Sequence, residues 1–435
     1  MASHEPMVLG AGLDVPSKRG LLADIAGDAE AFASAAARGP LRIYCGVDPT
    51  AESLHVGNLL CLMVFGWCRR LGHVPVCLLG GATGRVGDPS GKSVERPLLD
   101  EEQVAANAAK IAGNVSAILR RVPGASGPDC LMLDNYSWWK DMTVLDFLRD
   151  VGRHARMGTM LAKDSVRNRL QSDSGLSFTE FSYQLLQGYD FVHLCKAHGV
   201  TVQFGGSDQW GNITAGTELI RKTLDGQEAF GFTIPLLLKS DGSKYGKSES
   251  GAIWLSEAKL SPYGFYQALL NTADADVDRL LRALTFLPLD EIQRLQGAEQ
   301  PPNTAQRRLA EEVTHFVHGE EGLRAALQAT QALAPGSKVV ALSGDVIRAA
   351  MEAGAVAHAV PRCDAVGAPV VDVLAATQLQ PSKAAARRLI QGRGLRINNA
   401  LVEDAAAQIA QADLIDGRYL LVAMGKKLRA VLEVV

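Results

Sequence analysis

Apolar residues fall into two kinds of run along the first half of the chain. Short, mostly apolar stretches at Leu41–Val47, Val74–Leu79, Leu131–Asn135, Val200–Phe204 and Ile234–Leu238 are bounded by Gly, Pro, Asp or Asn and predict buried strands. Between them lie longer stretches that predict helices over Leu59–Leu71, 101–121, Thr143–Val151, Phe178–Cys195 and the run ending at Lys222. The helix at 101–121 is acidic at its start and basic at its end, as the helix dipole favours. Strand, helix and strand within about 40 residues make a βαβ unit, hence a parallel sheet with right-handed crossovers. Tyr136–Lys140 reads as an aromatic turn, and the Arg/Lys-rich stretch 153–174 as an exposed insertion.

From Pro262 the pattern changes to helices with short connectors, at 262–271, 274–284, 288–296, 304–317 and 320–333. A Gly/Ala/Pro-rich stretch then reads as a linker. The last segment predicts a helix over Ser382–Gln391, a strand over Leu395–Asn398 and two further strands. The expected organisation is an N-terminal extension (1–40), a parallel-sheet α/β domain (41–260), an all-α domain (261–335), a linker (336–369) and a small α+β domain (370–435).

Polar residues gather where a parallel sheet binds ligands, at strand C-termini and helix N-termini. Tyr44, Asp48, Thr50, His55 and Asn58 follow the first strand; Gln203, Asp208 and Gln209 follow the fourth. Three other features are less specific. The glycine loop Gly80–Ser93 lacks a phosphate-binding fingerprint, because position 86 is valine before Gly91-Lys92-Ser93 and no Gly-x-Gly-x-x-Gly is present. Tyr183, Gln187 and Asp190 share one helix face, which suits solvent or a pocket wall. The loop Lys239–Ser248, with Lys244 and Lys247, taken alone reads as a solvated turn.

Composition narrows the class. The chain has 435 residues, 47% hydrophobic and 21% charged, with net charge −3, which fits a globular chain of two or three domains. Residues 370–435 carry nine Lys/Arg against six Asp/Glu, leaving −6 on the rest. A mildly basic tail on an acidic body is compatible with RNA contact. Seven cysteines with no Cys-x-x-Cys argue for a reducing compartment and against a zinc site. No long apolar run predicts a membrane span, and the N-terminus does not read as a secretory signal.

Six motifs in order resemble one family. Asp48-Pro-Thr-Ala-Glu-Ser-Leu-His-Val-Gly-Asn58 is similar to the "HIGH"-type signature of class I aminoacyl-tRNA synthetases, and Lys244-Tyr-Gly-Lys-Ser248 to their "KMSKS" loop. Gly80-Gly-Ala-Thr-Gly84, Gly87-Asp-Pro-Ser-Gly-Lys92, Phe178–Asp190 and Gly205–Gly216 resemble bacterial and organellar tyrosyl-tRNA synthetases. The resemblance covers about 41–335, and 370–435 resembles the family's small C-terminal RNA-binding domain.

The resemblance implies a Rossmann-type catalytic domain that joins L-tyrosine to ATP and then transfers it to the terminal ribose of its tRNA. It implies ATP as substrate with Mg²⁺, no permanently bound cofactor or protein-held metal, a homodimer, and no membrane or DNA partner. Thr50, His55, Asn58, Lys92, Arg96, Lys244 and Lys247 would serve the phosphoryl transition state. Tyr44, Asp88, Tyr183, Gln187, Asp190 and Gln203 would bind tyrosine; Gly46, Asp48, Gly57, Gly206, Asp208, Gln209 and Ser248 would bind ATP. Lys383, Arg387, Arg388, Arg393 and Arg396 would contact RNA. Asn58 departs from the signature, where histidine is usual. The chain looks most like plant and algal organellar forms, implying the chloroplast stroma or mitochondrial matrix, with a bacterial cytoplasm as the alternative. A tryptophanyl enzyme, or an RNA-binding protein derived from a synthetase, are the competing readings. Tyr44 with Asp190 and the C-terminal domain oppose the first; intact motifs oppose the second.

Overall fold

The structure is a computed structural model and describes residues 14–90, 99–171, 175–248, 251–297, 299–334, 337, 342–352, 356–425 and 428–435. It forms two compact units, Met1–Ser256 with Ala273–Ala305, and Glu257–Thr272 with Gln306–Val435. Among the described residues no helix is long and apolar enough to cross a membrane.

The first unit is built on six strands: β1 (Ile25–Ala26), β2 (Arg42–Val47), β3 (Val74–Leu79), β4 (Leu131–Asp134), β5 (Val202–Gly206) and β6 (Phe230–Ile234). Their order is β1-β6-β5-β2-β3-β4, with β2 to β6 parallel and β1 antiparallel at the edge. The chain builds outward from β2 in one direction through β3 and β4, then returns to place β5 on its other side. That reversal opens a cleft at the carboxyl ends of β2 and β5. The register sets Tyr44 level with Val76 and Gln203, and Cys45 level with Cys77.

Helices α1 (Ala29–Arg38), α2 (Val56–Arg70), α3 (Glu101–Arg120), α4 (Val144–Asp150), α5 (Phe178–His198) and α6 (Trp210–Thr223) complete this part. α2 is buried on most sides, as expected of a helix that is apolar almost all round. Its Phe65 meets Phe204 of β5 edge-on at 5.2 Å, and Phe204 stacks on Phe232 at 5.2 Å. Each such ring is worth roughly 1.5–3 kcal/mol on full burial. The last strand lies earlier than the apolar run Ile234–Leu238 suggests. Pro235 cannot donate to the ladder, so the chain leaves the sheet at that point.

Residues 14–40 are not an appendage, contrary to the expected N-terminal extension. β1 pairs with β6, and Phe32 of α1 stacks on Phe230 at 5.1 Å. Arg19, nearly buried, donates to the carbonyls of Arg282, Thr285 and Leu287 and lies 4.5 Å above the Trp67 ring.

The helical run also divides differently from the expected 261–335 domain. α7 (Pro262–Leu270) belongs to the second unit, whereas α8 (Asp274–Leu284) and α9 (Leu289–Leu295) belong to the first. The expected helices 304–317 and 320–333 form one run, α10 (Thr304–Leu333), broken at Gly319 where φ is 75°. Short strands β7 (Lys247–Ser248) and β8 (Gly251–Ala252) form a hairpin in the first unit.

The second unit holds a five-stranded sheet. Its elements are α11 (Gly344–Glu352), β9 (Val356–Val360), α12 (Val370–Ala376), α13 (Lys383–Gln391), β10 (Leu395–Ile397), β11 (Ala400–Leu401), β12 (Tyr419–Met424) and β13 (Leu428–Val434). The order is β11-β10-β12-β13-β9, with only β13–β9 parallel. Residues 356–360 therefore form a sheet strand within the expected linker 336–369. Alternate residues of β12 face two cores: Leu420 and Val422 pack with Leu374 and Ile390, while Leu421 packs with Leu333 and Ile347.

Candidate active site

The cleft between β2 and β5 holds a cavity of about 440 Å³. Strand alternation aims Tyr44 toward α5, where its ring meets Phe191 at 5.2 Å. Tyr44 is 1% exposed, and its hydroxyl has no hydrogen-bond partner among the described residues. A buried hydroxyl left so costs stability unless a ligand completes it. Asp190, buried on α5, supplies the neighbouring charge.

Asp190 is held by three donors. Asn135 Nδ2 reaches one carboxylate oxygen at 2.9 Å; Trp138 Nε1 and Trp139 Nε1 reach the other at 2.9 and 2.7 Å. Burial pushes the Asp190 carboxyl up to about 7, against the pull of those donors. The network continues along the cavity wall. Asn135 Nδ2 also donates to Thr83 Oγ1 at 3.0 Å, Thr83 donates to Asp48 at 2.7 Å, and the Tyr183 hydroxyl donates to the other Asp48 oxygen at 2.8 Å. Gly80 is required here, because a Cβ would lie 2.1 Å from Asp48 Oδ1 and 2.5 Å from Thr83 Oγ1.

A second cluster stands beside it. Asp88 accepts from Gln209 Nε2 at 2.7 Å, from the Ser90 amide at 2.9 Å and from Asn212 Nδ2 at 3.4 Å. Gln203, 1% exposed, has an amide oxygen with no partner among the described residues. Gln187 and Asp208 also line the cavity.

At the end of the cavity formed by the start of α2, His55 caps that helix. Its Nδ1 accepts from the Gly57 amide at 3.1 Å, and Asn58 Oδ1 accepts from the His55 amide at 3.1 Å. This reciprocal pairing is a capping box. The base of the lysine-bearing loop is bonded to the same place: Val56 N donates to Ile253 O at 2.8 Å, Leu255 N to Leu54 O at 2.9 Å, and Ile253 N to Gly246 O at 3.1 Å. Gly246 has φ 84°, and a Cβ there would strike Val56 at 2.1 Å.

A family model for class I tRNA synthetases (W and Y) matches residues 36–334, and one for the tyrosine–tRNA ligase SYY-like C-terminal domain matches 352–432. The chloroplastic/mitochondrial tyrosine–tRNA ligase of Arabidopsis thaliana is 51% identical over 433 residues, 97% of this chain and 83% of that protein. The tyrosine–tRNA ligase of Protochlamydia amoebophila is 50% identical over 404 residues, 91% and 92% of the two chains. The chain belongs to the tyrosyl-tRNA synthetase family. Among solved structures, a C-terminally truncated mitochondrial tyrosyl-tRNA synthetase from Aspergillus nidulans shares 33% identity at TM-score 0.64, covering 73% of this chain and 93% of its own. Members of this family are class I ligases that attach tyrosine to tRNA through tyrosyl-adenylate, with ATP.

Against that family frame, the structure brings Tyr44, Asp88, Tyr183, Gln187 and Asp190 onto one cavity together with Gly46, Asp48, Thr50, His55, Gly57, Asn58, Gly206, Asp208, Gln209 and Lys244. Thr50 and Lys244 stand exposed at its mouth. Lys92 and Arg96 lie outside the described residues, as do the side chains of Lys247 and Ser248, whose backbone forms β7. Asp48, expected on ATP, lines the cavity and also accepts from Tyr183 and Thr83. Gly57, expected to admit adenosine, has a nearer reason for glycine: a Cβ would lie 2.8 Å from the His55 ring.

Four members of the network, Thr83, Asn135, Trp138 and Trp139, are absent from the sequence-derived site. The signal for Trp138 and Trp139 was the aromatic turn after β4, and for Asn135 its place at the end of that strand. In the second unit, Lys383 pairs with Asp372 at 2.9 Å, Arg393 with Glu403 at 2.8 Å, and Arg396 donates to the Asn399 carbonyl at 3.0 Å. Arg387 and Arg388 are exposed on α13.

Proposed function

We propose that the cavity performs both steps of tyrosine attachment, with the amino acid seated between Tyr44 and Asp190 and the nucleotide lying toward His55 and Asp208. The observation that supports this reading is the buried, partnerless Tyr44 hydroxyl beside Asp190, a site completed by a phenol hydroxyl. Phenylalanine would leave the Tyr44 hydroxyl without the partner that a phenol hydroxyl supplies. Asp88, with Gln187 and Tyr183 nearby, receives the ammonium, and Gln203 closes the pocket wall.

The tyrosine carboxylate is already ionised, so the first step needs alignment and charge stabilisation rather than a base. Thr50, His55 and the loop lysines Lys244 and Lys247 serve the departing pyrophosphate, with Lys92 and Arg96; magnesium enters on the ATP phosphates. Anchoring of the loop base at Gly246 and Ile253 leaves its tip to close over ATP. The second unit contacts tRNA through α13 and its neighbours, and residues 41–260 carry the chemistry.

Two copies associate through apolar surface that includes Val144, Leu145 and Leu148 of α4, exposed by 74, 76 and 52%. The enzyme works in a plastid or mitochondrion, as its similarity to the Arabidopsis protein suggests, with a bacterial cytoplasm the alternative. Tyrosine-dependent exchange between ATP and pyrophosphate tests the activity. Exchange that ignores tyrosine, or responds to tryptophan instead, overturns it. A monomer in sedimentation at micromolar concentration overturns the dimer.

A further inference from the structure

Three thiols converge beneath the cavity. Strand alternation that turns Tyr44 toward α5 turns Cys45 to the opposite face, where α2 lies. Cys77 occupies the matching position on β3 and is fully buried. α2 presents its Phe65 to that same face of the sheet, on Phe204. Cys61 precedes Phe65 by one helical turn and so shares its face. The Cys45 thiol donates to the Gly46 carbonyl at 3.7 Å, and Cys61 stands close enough to act on it. Both line the cavity, whereas Cys77 does not.

We infer that Cys45 and Cys61 are a redox pair in the cavity floor, which peroxide closes to a disulfide and thereby shuts the nucleotide end of the site. Access sets the order of events. Cys61 is half-buried on the cavity wall, while Cys45 is 5% exposed. The Cys61 thiol, after losing its proton to solvent, attacks hydrogen peroxide. The O–O bond breaks, the sulfur becomes a sulfenic acid, and the departing hydroxide takes up a proton to leave as water. The Cys45 sulfur then attacks the Cys61 sulfur. The S–O bond breaks, an S–S bond forms, and the Cys45 proton leaves with the hydroxyl as a second water. Two thiols lose two electrons and one peroxide gains them.

The neighbouring Cys61 thiol, then burial, holds the Cys45 thiol well above its ordinary range, so it is inert alone and reacts when the electrophilic sulfur is already beside it. The closed bond ties β2 to the first turns of α2. These are the two elements that carry Gly46 and Gly57, and Asp208 lies close enough to Cys45 to act on its charge. Loss of ATP use on closure rests on the reading of this cavity as the adenylate site; the crosslink itself does not.

The test treats the full-length protein with hydrogen peroxide, then digests it without reductant for mass spectrometry, beside an exchange assay on the same samples. The expected result is a peptide pair joining Cys45 to Cys61, two hydrogens lighter than the reduced pair. Exchange should fall in proportion to the crosslinked fraction and return with dithiothreitol. Cys61→Ser, scored against its own untreated rate, should keep its exchange through the same treatment. A bond from Cys45 to Cys77, oxidation confined to exposed Cys363, or irreversible oxidation of Cys61 overturns the pair. So does equal loss of exchange in Cys61→Ser. The wild-type crosslink decides the question even if that variant folds poorly, and it is read whether or not tyrosine proves to be the substrate.

Discussion

One amide nitrogen of Asn135 serves both Asp190, at 2.9 Å, and Thr83, at 3.0 Å. It thereby joins Asp190, beside Tyr44, to the Thr83–Asp48–Tyr183 chain. Asn135 is fully buried, and its oxygen accepts from the Ala82 amide at 2.7 Å, so every polar atom of the side chain is used. Asn135→Ala should lower kcat/KM for tyrosine by about tenfold, from the roughly 1–3 kcal/mol cost of stranding buried partners. An unchanged KM for tyrosine with an unchanged kcat would show that the two ends are independent.

Asp190 should make tyrosine recognition depend on pH. Its carboxyl sits at about 7, so acidification through that value protonates the acceptor for the phenol hydroxyl. The KM for tyrosine should fall as pH rises from 6 to 8, and Asp190→Ala should abolish both the trend and the preference for tyrosine over phenylalanine. Unaltered relative kcat/KM for the two amino acids would refute the assignment. Stability runs the other way. A carboxyl raised above its unfolded value of about 3.9 stabilises the fold fully below that value and loses the contribution as pH rises through about 7. Urea midpoints of Asp190→Asn relative to wild type should therefore improve between pH 5 and 8.

Arg169 and Glu180 form a buried two-pronged ion pair at 2.9 and 2.6 Å, with side chains 4% and 3% exposed. Glu180→Gln should destabilise the first unit by about 3–5 kcal/mol, because it leaves a buried guanidinium uncompensated. Replacing both, as Arg169→Met with Glu180→Leu, should recover most of that loss in urea unfolding. A double variant no better than the single would mean that packing, not charge, sets the cost.

Asn58 should tolerate change less well than a surface asparagine. It is the N3 member of the α2 capping box, so Asn58→Ala should cost about 0.5–2 kcal/mol in thermal stability. It should also slow exchange through misplacement of His55. Asn58→His, which restores the usual signature residue, should recover exchange if its ring can take the same backbone donor. Full stability in Asn58→Ala would remove the capping role.

Removal of the tail should separate the two steps, but the cut must fall earlier than residue 370. β9 pairs with β13, so a cut at 370 leaves one of the sheet's five strands without its partner. A chain ending near residue 335 should retain tyrosine-dependent exchange, lose most tRNA charging and lose much of the salt dependence of tRNA binding. Charging equal to that of the intact protein would refute the role of the second unit.

The parallel sheet was legible because its strands are short, apolar and bounded by turn residues. The cavity was legible because its polar residues sit at strand ends, and the motif order pointed to the family. Other features depended on distance across the fold. Nothing near Arg169 announces Glu180; the arginine lies in a basic stretch that reads as exposed. Asn135 was visible as a strand end and Trp138 and Trp139 as a turn, but their convergence on Asp190 is made by tertiary packing more than 50 residues apart. β6 was misplaced because the apolar run continues past Pro235, where hydrogen bonding stops. β9 was missed because it is a short edge strand whose Ala357 and Ala359 are exposed, set in a Gly- and Ala-rich stretch that reads as a linker.

The pairing of β1 with β6 has a consequence for maturation. β6 is the last parallel strand, and β1 covers an edge that would otherwise offer its free amides and carbonyls to any passing strand. Arg19, a few residues upstream, latches onto the carbonyls at and just beyond the end of α8. Trimming of the N-terminus past Arg19 would remove this latch, and past Ala26 the cover on the β6 edge. A cut beyond that point would turn a processing event into a seed for aggregation.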